Sequence, residues 1–575
     1  MRKTLTLIAI FALMVAVARG QVVFEDMADE LNINDLDNGR TAAVVDLDND
    51  FVNEIILINL HQDNRIYTWQ DSVYIEMSDY YDINYCLLAN NITVADVNLD
   101  NRPDLYINDA PDQHQARMYV NDMPGPFLDR TQLYGLGYTQ SAGSAFFQMT
   151  PNSGLCLLTG NRLMNMQYGT FIEITQGSGL EGLTNVFCPV FLDIDGDYDD
   201  DLFIAGDHEM NYGSLFLNNG DGTFSDISTN TDESGFGYGQ QVSFGDIDND
   251  GDFDLYVTSG FGTNKLWQND GTGYFTNITD ISNTGYGGYS RSSSFGDFDN
   301  DGDVDLYVNR TDDYKVLFIN DGNGIFTDYS EEAGINDYGT GMGCAVGDLN
   351  GDGGLDIVSM NANSQGNQIY INQSAEETFL KVKVIGRGSN TLALGAILEL
   401  YADSDPQLEE EFIGKREISS HPVVGGVNDL VAHFGTGDHS NLRLVIHFQS
   451  GAVTDTMGLQ TSTTVIIYEP EMVAVDDPEI SLPVNNMILR SYPNPFNNST
   501  RITIHGGESD LYDLAIFDLL GRRIRSVSIE NRDSELTSFT WDGQNDSGQP
   551  VPSGVYFVRG RSGTLSAENK ISLLR

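Results

Sequence analysis

One acidic phrase recurs along the first two-thirds of this chain, and its spacing limits the folds open to it. Phe244–Val257 reads FGDIDNDGDFDLYV, and Phe295–Val308 repeats it as FGDFDNDGDVDLYV. Val346–Val358 gives VGDLNGDGGLDIV, and earlier copies begin at Leu192 (LDIDGDYDDDLFI), Ala95 (ADVNLDNRPDLYI) and Val45 (VDLDNDFVNEIIL). The first Asp of each copy stands at 46, 96, 193, 246, 297 and 348, giving gaps of 50, 97, 53, 51 and 51. The long gap leaves room for one unit near residue 146. Phe146–Gly160 (FFQMTPNSGLCLLTG) fits there, with Leu155-Cys156-Leu157 matching the strand after the loop and the acidic residues lost.

A second phrase counts the units independently. An aromatic residue two places before Asp, Asn or Glu, commonly after a Gly-rich turn, stands at Phe24, Tyr74, Phe127, Phe171, Phe224, Phe275 and Phe326. Both phrases give seven units. Within each, alternating apolar runs and tight turns predict four short strands, such as Asp254–Thr258 and Lys265–Asn269. Repeats of about fifty residues with four strands read as propeller blades, each burying its faces against two neighbours. The expected fold is all-β, a seven-bladed β-propeller followed by a small β domain and a C-terminal immunoglobulin-like β-sandwich. Because Phe24 precedes the first Asp loop, the N-terminal segment is expected to supply the outer strand of the last blade.

Each Asp loop places oxygen ligands at its positions 1, 3, 5 and 9, often with Gly at position 6. The candidate metal ligands are Asp46, Asp48, Asp50 and Glu54; Asp96, Asn98, Asp100 and Asp104; and Asp193, Asp195, Asp197 and Asp201. The later loops offer Asp246, Asp248, Asp250 and Asp254; Asp297, Asp299, Asp301 and Asp305; and Asp348, Asn350, Asp352 and Asp356. Alternate carboxylates in a tight turn converge on one point, and hard oxygens in a flexible cage suit Ca²⁺ better than Mg²⁺. Up to six structural Ca²⁺ sites are expected. This is not an EF-hand, because position 12 is Val257 or Val308 inside a strand, where that motif needs a bidentate Glu.

Charge narrows the partners. The chain carries 85 Asp+Glu against 29 Lys+Arg, a net charge of −56, so nucleic acid is excluded as a partner. Met1–Gly20 reads as a signal peptide, with Arg2 and Lys3 before the apolar run Leu5–Ala18 and a small-residue cleavage site at Ala18-Arg19-Gly20. No later segment is apolar enough to span a bilayer. An exported, monomeric protein, secreted or held at the cell surface or outer membrane, is expected. Cys86, Cys156, Cys188 and Cys344 fit no zinc spacing; export permits disulfides, and buried thiols are equally compatible.

The Asp phrase and its following N-x-G-x-G-x-F-x-D turn resemble the FG-GAP/VCBS repeats of integrin α-subunit propellers and many bacterial surface proteins. That resemblance covers 21–376 and implies a propeller with Ca²⁺ loops on one face and a role in adhesion or ligand binding. Residues 377–470, with Phe379–Val384, Gly395–Leu400, His433–Gly437 and Phe448–Gly451, resemble the ASPIC/UnbV domain that often follows such propellers; Phe448-Gln449 departs from its usual Trp-Pro. Residues 471–490 read as a linker containing Pro478 and Pro483. Residues 491–575 open with Ser491–Asn497 and carry Ala515–Arg523, Trp541-Asp542-Gly543 and Pro552–Tyr556. They resemble the type IX secretion C-terminal sorting domain of the FlgD immunoglobulin-like type, which implies the type IX machinery as a partner.

The expected function is a ligand-binding or adhesion module for an extracellular glycan or protein. The Tyr- and Gly-rich Gly235–Gly239 and Tyr286–Tyr289 are candidates for its binding face or simple blade-edge turns. The alternative is an extracellular carbohydrate-active lyase or hydrolase. Against it, no G-x-S-x-G or HExxH occurs, and the His are scattered, with only His61, His114 and His208 as propeller candidates.

Overall fold

The computed structural model describes residues 22–470 and 488–573, apart from 34–36, 71–72, 84–88, 110–115, 124, 137–142, 152, 185, 187, 207–212, 234, 375–377, 403–410, 421–425, 493–499, 506–510, 519–521, 531–535, 553 and 563–564. The signal peptide, most of the linker, Ser491–Asn497 beyond Tyr492, Cys86, His114 and His208 lie outside the described residues. The chain divides into two compact units, 1–472 and 473–575. It is all-β, the described helices being single turns such as Thr279–Ser282.

The repeat folds into a series of small antiparallel sheets. Residues Gln241–Gly245, Asp254–Thr258, Lys265–Asn269 and Phe275–Asn277 form one, in chain order, with Gly245 paired to Asp254 across the Asp loop. Among the described residues seven such sheets occur, and we number them by their first strands. These are Gly39–Val45, Ala89–Ala95, Ser144–Phe147, Cys188–Leu192, Gln241–Gly245, Ser290–Gly296 and Gly341–Gly347. Sheet 3 is the unit without an acidic loop. Sheet 7 receives its fourth strand from Phe24–Asp26, which pairs with Gln368–Asn372, as the position of Phe24 predicts.

First strands are the most deeply packed; all seven residues of Gly341–Gly347 are buried. Each first strand lies against that of the next sheet, and the first strand of sheet 7 lies against that of sheet 1. Apolar side chains fill the spaces between sheets. Phe147 of sheet 3 stacks on Phe191 of sheet 4 with ring centroids 3.6 Å apart. Each such buried side chain contributes about 1.5–3 kcal/mol.

Residues 378–470 belong to the same compact unit as the seven sheets. Phe379–Ile385 pairs antiparallel with Ala432–Gly435 and parallel with Thr463–Tyr468, while Ile397–Ala402 lies between Glu411–Glu417 and Asn441–His447. Their Leu380, Val382, Phe434 and Leu444 share one apolar cluster with Tyr106, Phe146 and Leu157 of sheets 2 and 3. Gly426–Val427 adds a parallel strand to the first strand of sheet 1, a pairing the sequence did not suggest.

The second unit is a pair of sheets. Ile488–Tyr492, Thr500–His505 and Leu536–Trp541 form one; Arg523–Glu530, Leu511–Asp518, Gly554–Ser562 and Leu565–Leu573 form the other. Ile502, Leu514, Trp541, Val558 and Leu573 fill its core, and Trp541 Nε1 donates to the Gln544 carbonyl at 2.9 Å. The first strand starts at Ile488, slightly before the boundary expected from sequence.

Cys156 and Cys344 are buried thiols, and burial pushes Cys344 up to about 12. A thiol that stays protonated in a closed interior is unreactive. Maleimide labelling read by peptide mass spectrometry is therefore expected to leave both unmodified in the native protein and to modify both in guanidinium.

Candidate metal centre

The Asp loops join the first and second strands, so all of them lie at one end of their sheets. Every loop turns through two left-handed residues. Position 4 is Asn49, Leu99, Gly196, Asn249, Asn300 or Gly351, and position 6 is Phe51, Asn101, Tyr198, Gly251, Gly302 or Gly353, all with positive φ. Glycine takes this conformation without a steric penalty, whereas Phe51, Leu99 and Tyr198 hold it at a cost on the order of 1–3 kcal/mol each. Such strain persists only where surrounding contacts enforce it.

The two left-handed turns wrap main-chain amides around the first Asp. Asp246 accepts from the Asp250 and Gly251 amides at 3.1 Å each, and Asp348 accepts from Gly351 at 2.7 Å and Gly353 at 3.0 Å. Three carboxylates then converge. Ligand atoms of Asp46, Asp48 and Asp50, of Asp193, Asp195 and Asp197, of Asp246, Asp248 and Asp250, and of Asp297, Asp299 and Asp305 all lie within 4.8 Å of one another in each group. These groups could each hold a metal ion. Asp301 stands outside its triplet. Asp96, Asn98, Asp100 and Asp104, like Asp348, Asn350, Asp352 and Asp356, bring no three carboxylates this close among the described residues, because position 3 is Asn.

Position 9 does more than offer a ligand. One oxygen of Glu54, Asp104, Asp201, Asp254, Asp305 and Asp356 accepts the position-2 amide at 2.8–3.1 Å. In the five Asp cases the other accepts the main-chain amide of an Asn that ends the third strand (Asn218, Asn269, Asn320 or Asn372) or directly follows it (Asn121), at 2.7–2.9 Å. Those same Asn side chains reach the preceding sheet. Their Nδ2 donates to the carbonyl of Leu47, Met149, Ile194, Ile247 or Phe298 at 2.7–2.8 Å. At the junction of sheets 7 and 1 the Tyr74 hydroxyl donates to the Leu349 carbonyl at 3.1 Å in their place. Sequence reading missed this set, although Asn218, Asn269 and Asn320 precede the Gly turn at a constant offset.

Burial, reinforced by neighbouring carboxylates, pushes Asp246 and Asp297 up to about 7 and Glu54 up to about 9, so the bare loops resist full ionisation. Several buried carboxylate oxygens have no hydrogen-bond donor: Asp195 Oδ1, Asp199 Oδ1, Asp248 Oδ1 and Asp297 Oδ1. Oxygen-only and rich in carboxylates, these loops match what a hard divalent cation requires. Asp199 and Asp200 were not among the residues singled out by spacing; burial raises both, to about 8 and about 7.

Residues 378–470 cover this end of the sheets. Lys381 Nζ donates to Asp348 Oδ2 at 2.7 Å, and Lys383 Nζ to Asp46 Oδ2 at 2.7 Å. Thr391 donates to Asp96, the Gly435 amide to Asp297 at 2.8 Å, and Gln449 to Asp200 at 2.8 Å. Asn428 accepts the Val346 amide and donates to Ser294, between the first strands of sheets 6 and 7.

A family model for the FG-GAP-like repeat matches residues 193–257, 246–308 and 297–359. The chain carries FG-GAP-like repeats. A model for the FlgD Ig-like domain matches residues 496–561. Human cartilage acidic protein 1 is 24% identical over 300 residues, covering 48% of this chain and 43% of the relative. The Xenopus tropicalis protein of the same name is 26% identical over 272 residues, covering 44% and 40%. The chain thus spans about two-fifths of the length of the curated relatives it matches. Saccharomyces cerevisiae Sqt1, a solved structure, aligns with a TM-score of 0.38 and 9% identity over 62% of this chain and 99% of that one, too loosely to bear on function. Among the described residues no helix is long and apolar enough to cross a membrane.

Proposed function

We propose that the FG-GAP-like part is a seven-bladed β-propeller stabilised by Ca²⁺ in its Asp loops, and that it works outside the cell as a ligand-binding module. The ring reading rests on the cyclic packing of first strands and on the Asn and Tyr74 bonds between successive sheets. Calcium rests on the converging triplets and their undonated oxygens. In the same reading residues 377–470 are an ASPIC/UnbV-like cap, residues 491–575 direct export by the type IX route, and the protein acts as a monomer at the cell surface or after release.

One observation supports a ligand at the end opposite the Asp loops: residues 378–470 reach the Asp loops at Asp46, Asp96, Asp297 and Asp348, whereas the opposite end carries exposed aromatic rings with polar neighbours. The turns between second and third strands and the connections between sheets gather there. Phe261 is 75% exposed and Tyr338 77%. Phe261 meets Tyr289 edge-on, Tyr314 meets Tyr338, and Arg291 bonds the Tyr289 hydroxyl and Gln240. A groove of about 530 Å³ runs between Tyr238, Phe261 and Lys265. Exposed rings edged by amide, guanidinium and carboxylate groups mark a recognition surface for a glycan or protein.

The test is a glycan and protein array screen with the full chain, followed by Phe261→Ala and Tyr338→Ala. Each substitution is expected to weaken the best binder by about tenfold, on the order of 1.4 kcal/mol. Unchanged affinity in both would remove the ligand from this face.

A further inference from the structure

We propose that the six Asp loops are of two kinds: those of sheets 4, 5 and 6 bind calcium, while those of sheets 1, 2 and 7 are satisfied by donors that residues 381–391 insert into them. This rests on the calcium reading above and narrows it. Two independent observations divide the loops in the same way, and the converged triplet of sheet 1 falls with the second kind because Lys383 Nζ already sits on Asp46 Oδ2 at 2.7 Å.

The first is where unbonded oxygens lie. Buried carboxylate oxygens with no hydrogen-bond donor belong to Asp193, Asp195 and Asp199 of sheet 4, Asp248 of sheet 5 and Asp297 of sheet 6. Asp193 and Asp297 are both 1% exposed. Residues 378–470 also meet the first Asp of two of these loops, Asp297 through the Gly435 amide at 2.8 Å and Asp193 through an ion pair with Lys415, yet Asp297 Oδ1, Asp195 Oδ1 and Asp248 Oδ1 keep no donor. Lys415 Nζ stands 3.5 Å from Asp193, and Arg416 spends its Nε and Nη1 on the carbonyls of His433 and Lys415. In the loops of sheets 1, 2 and 7, among the described residues, no carboxylate oxygen is left in this state. There the first Asp receives Lys383, Thr391 and Lys381 respectively. Lys381 and Lys383 are two residues apart on one strand, so their side chains leave the same face and reach two adjacent loops. Lys383 also donates to Asn49 Oδ1 at 3.0 Å and lies 4.8 Å from the centroid of the Phe51 ring. Phe51 takes the place of Gly at position 6, in a left-handed conformation that would favour glycine.

The second observation is composition. The loops of sheets 4, 5 and 6 carry Asp at all of positions 1, 3, 5 and 9, whereas those of sheets 2 and 7 have Asn at position 3 and that of sheet 1 has Glu at position 9. A buried carboxylate needs a counter-charge or donor wherever it sits. At sheets 1, 2 and 7 the donors from residues 381–391 complete that supply, and they also fasten residues 378–470 to the sheets without metal.

The test is calcium stoichiometry on the EDTA-stripped full chain, by equilibrium dialysis and by calorimetry, for the natural protein and for Lys381→Met/Lys383→Met. The proposal expects three ions per chain, rising to five in the double variant. Asp297→Asn should lower the natural count to two, while Asp348→Asn should leave it at three, so the division stays testable even if the lysine variant fails to fold. Six ions in the natural protein would overturn the division and leave the calcium reading standing. An unchanged three in a folded double variant would overturn the role of the lysines. No bound calcium at all would overturn the calcium reading itself.

Discussion

Stripping calcium from the full chain lowers the melting temperature of the 1–472 unit by roughly 8 °C, and leaves the 473–575 transition where it was. The reasoning is linkage. An ion that binds only the folded loops adds about 2.7 kcal/mol per site when free calcium is a hundred times its dissociation constant. Three sites add about 8 kcal/mol. At about 2.1 cal/mol/K of unfolding entropy per residue, that becomes a shift of this size for a unit this large. The sign follows from the loops themselves: without the ion, Asp193, Asp246 and Asp297 are buried beside other carboxylates, and burial with repulsion opposes their charge. Magnesium at the same concentration should restore little, since it demands a rigid octahedron and keeps its waters. Differential scanning calorimetry in EDTA, Ca²⁺ and Mg²⁺ reads all three. Equal recovery in both metals would point to general screening of an acidic surface.

Asn320→Leu destabilises the same unit by about 1–3 kcal/mol. The Asn320 Nδ2 donates to the Ile247 carbonyl at 2.8 Å and the Val304 carbonyl at 3.1 Å, and the residue is 5% exposed. Leucine keeps the volume but leaves the Val304 carbonyl without this donor and the Ile247 carbonyl with the Gly324 amide alone, at 3.1 Å; one buried acceptor left short costs about 1–3 kcal/mol. Asn320→Asp should cost more, since a carboxylate would face those carbonyls. The main-chain amide of residue 320 still serves Asp305 in either variant, so the sheet 6 loop keeps its shape. The loss therefore reports the bond between sheets 5 and 6. Urea melts read by tryptophan fluorescence check this, and a midpoint within error of the natural protein would deny the Asn bonds a part in holding neighbouring sheets together.

Much of this was legible from residue order because the repeat states the same solution several times. The Asp phrase and the Phe-x-Asp element located the sheets, including the degenerate one at Ser144–Phe147, and the position of Phe24 placed the strand that completes sheet 7. The convergence of positions 1, 3 and 5 follows from their alternation around two left-handed residues. What escaped was long-range. Nothing local to Lys381 or Lys383 says that they end on Asp348 and Asp46, because those contacts depend on how residues 378–470 dock. Gly426–Val427 was equally silent: two residues carry no strand pattern. The Asn bonds between sheets were visible as a repeated letter, yet their partners lie in the preceding repeat, so only the packed sheets reveal what the letter does. Position 9 shows how one carboxylate combines tasks, Asp305 fixing two amides while it joins its triplet.

The most direct measurement is a crystal structure of the full chain grown in millimolar CaCl₂ with anomalous data collected to locate calcium. The account predicts ions in the loops of sheets 4, 5 and 6, held by carboxylate and carbonyl oxygens at about 2.3–2.6 Å. It also predicts Lys383 and Lys381 still on Asp46 and Asp348, beneath a closed ring of seven sheets. Loops of sheets 4, 5 and 6 that hold only water at that calcium concentration would contradict it.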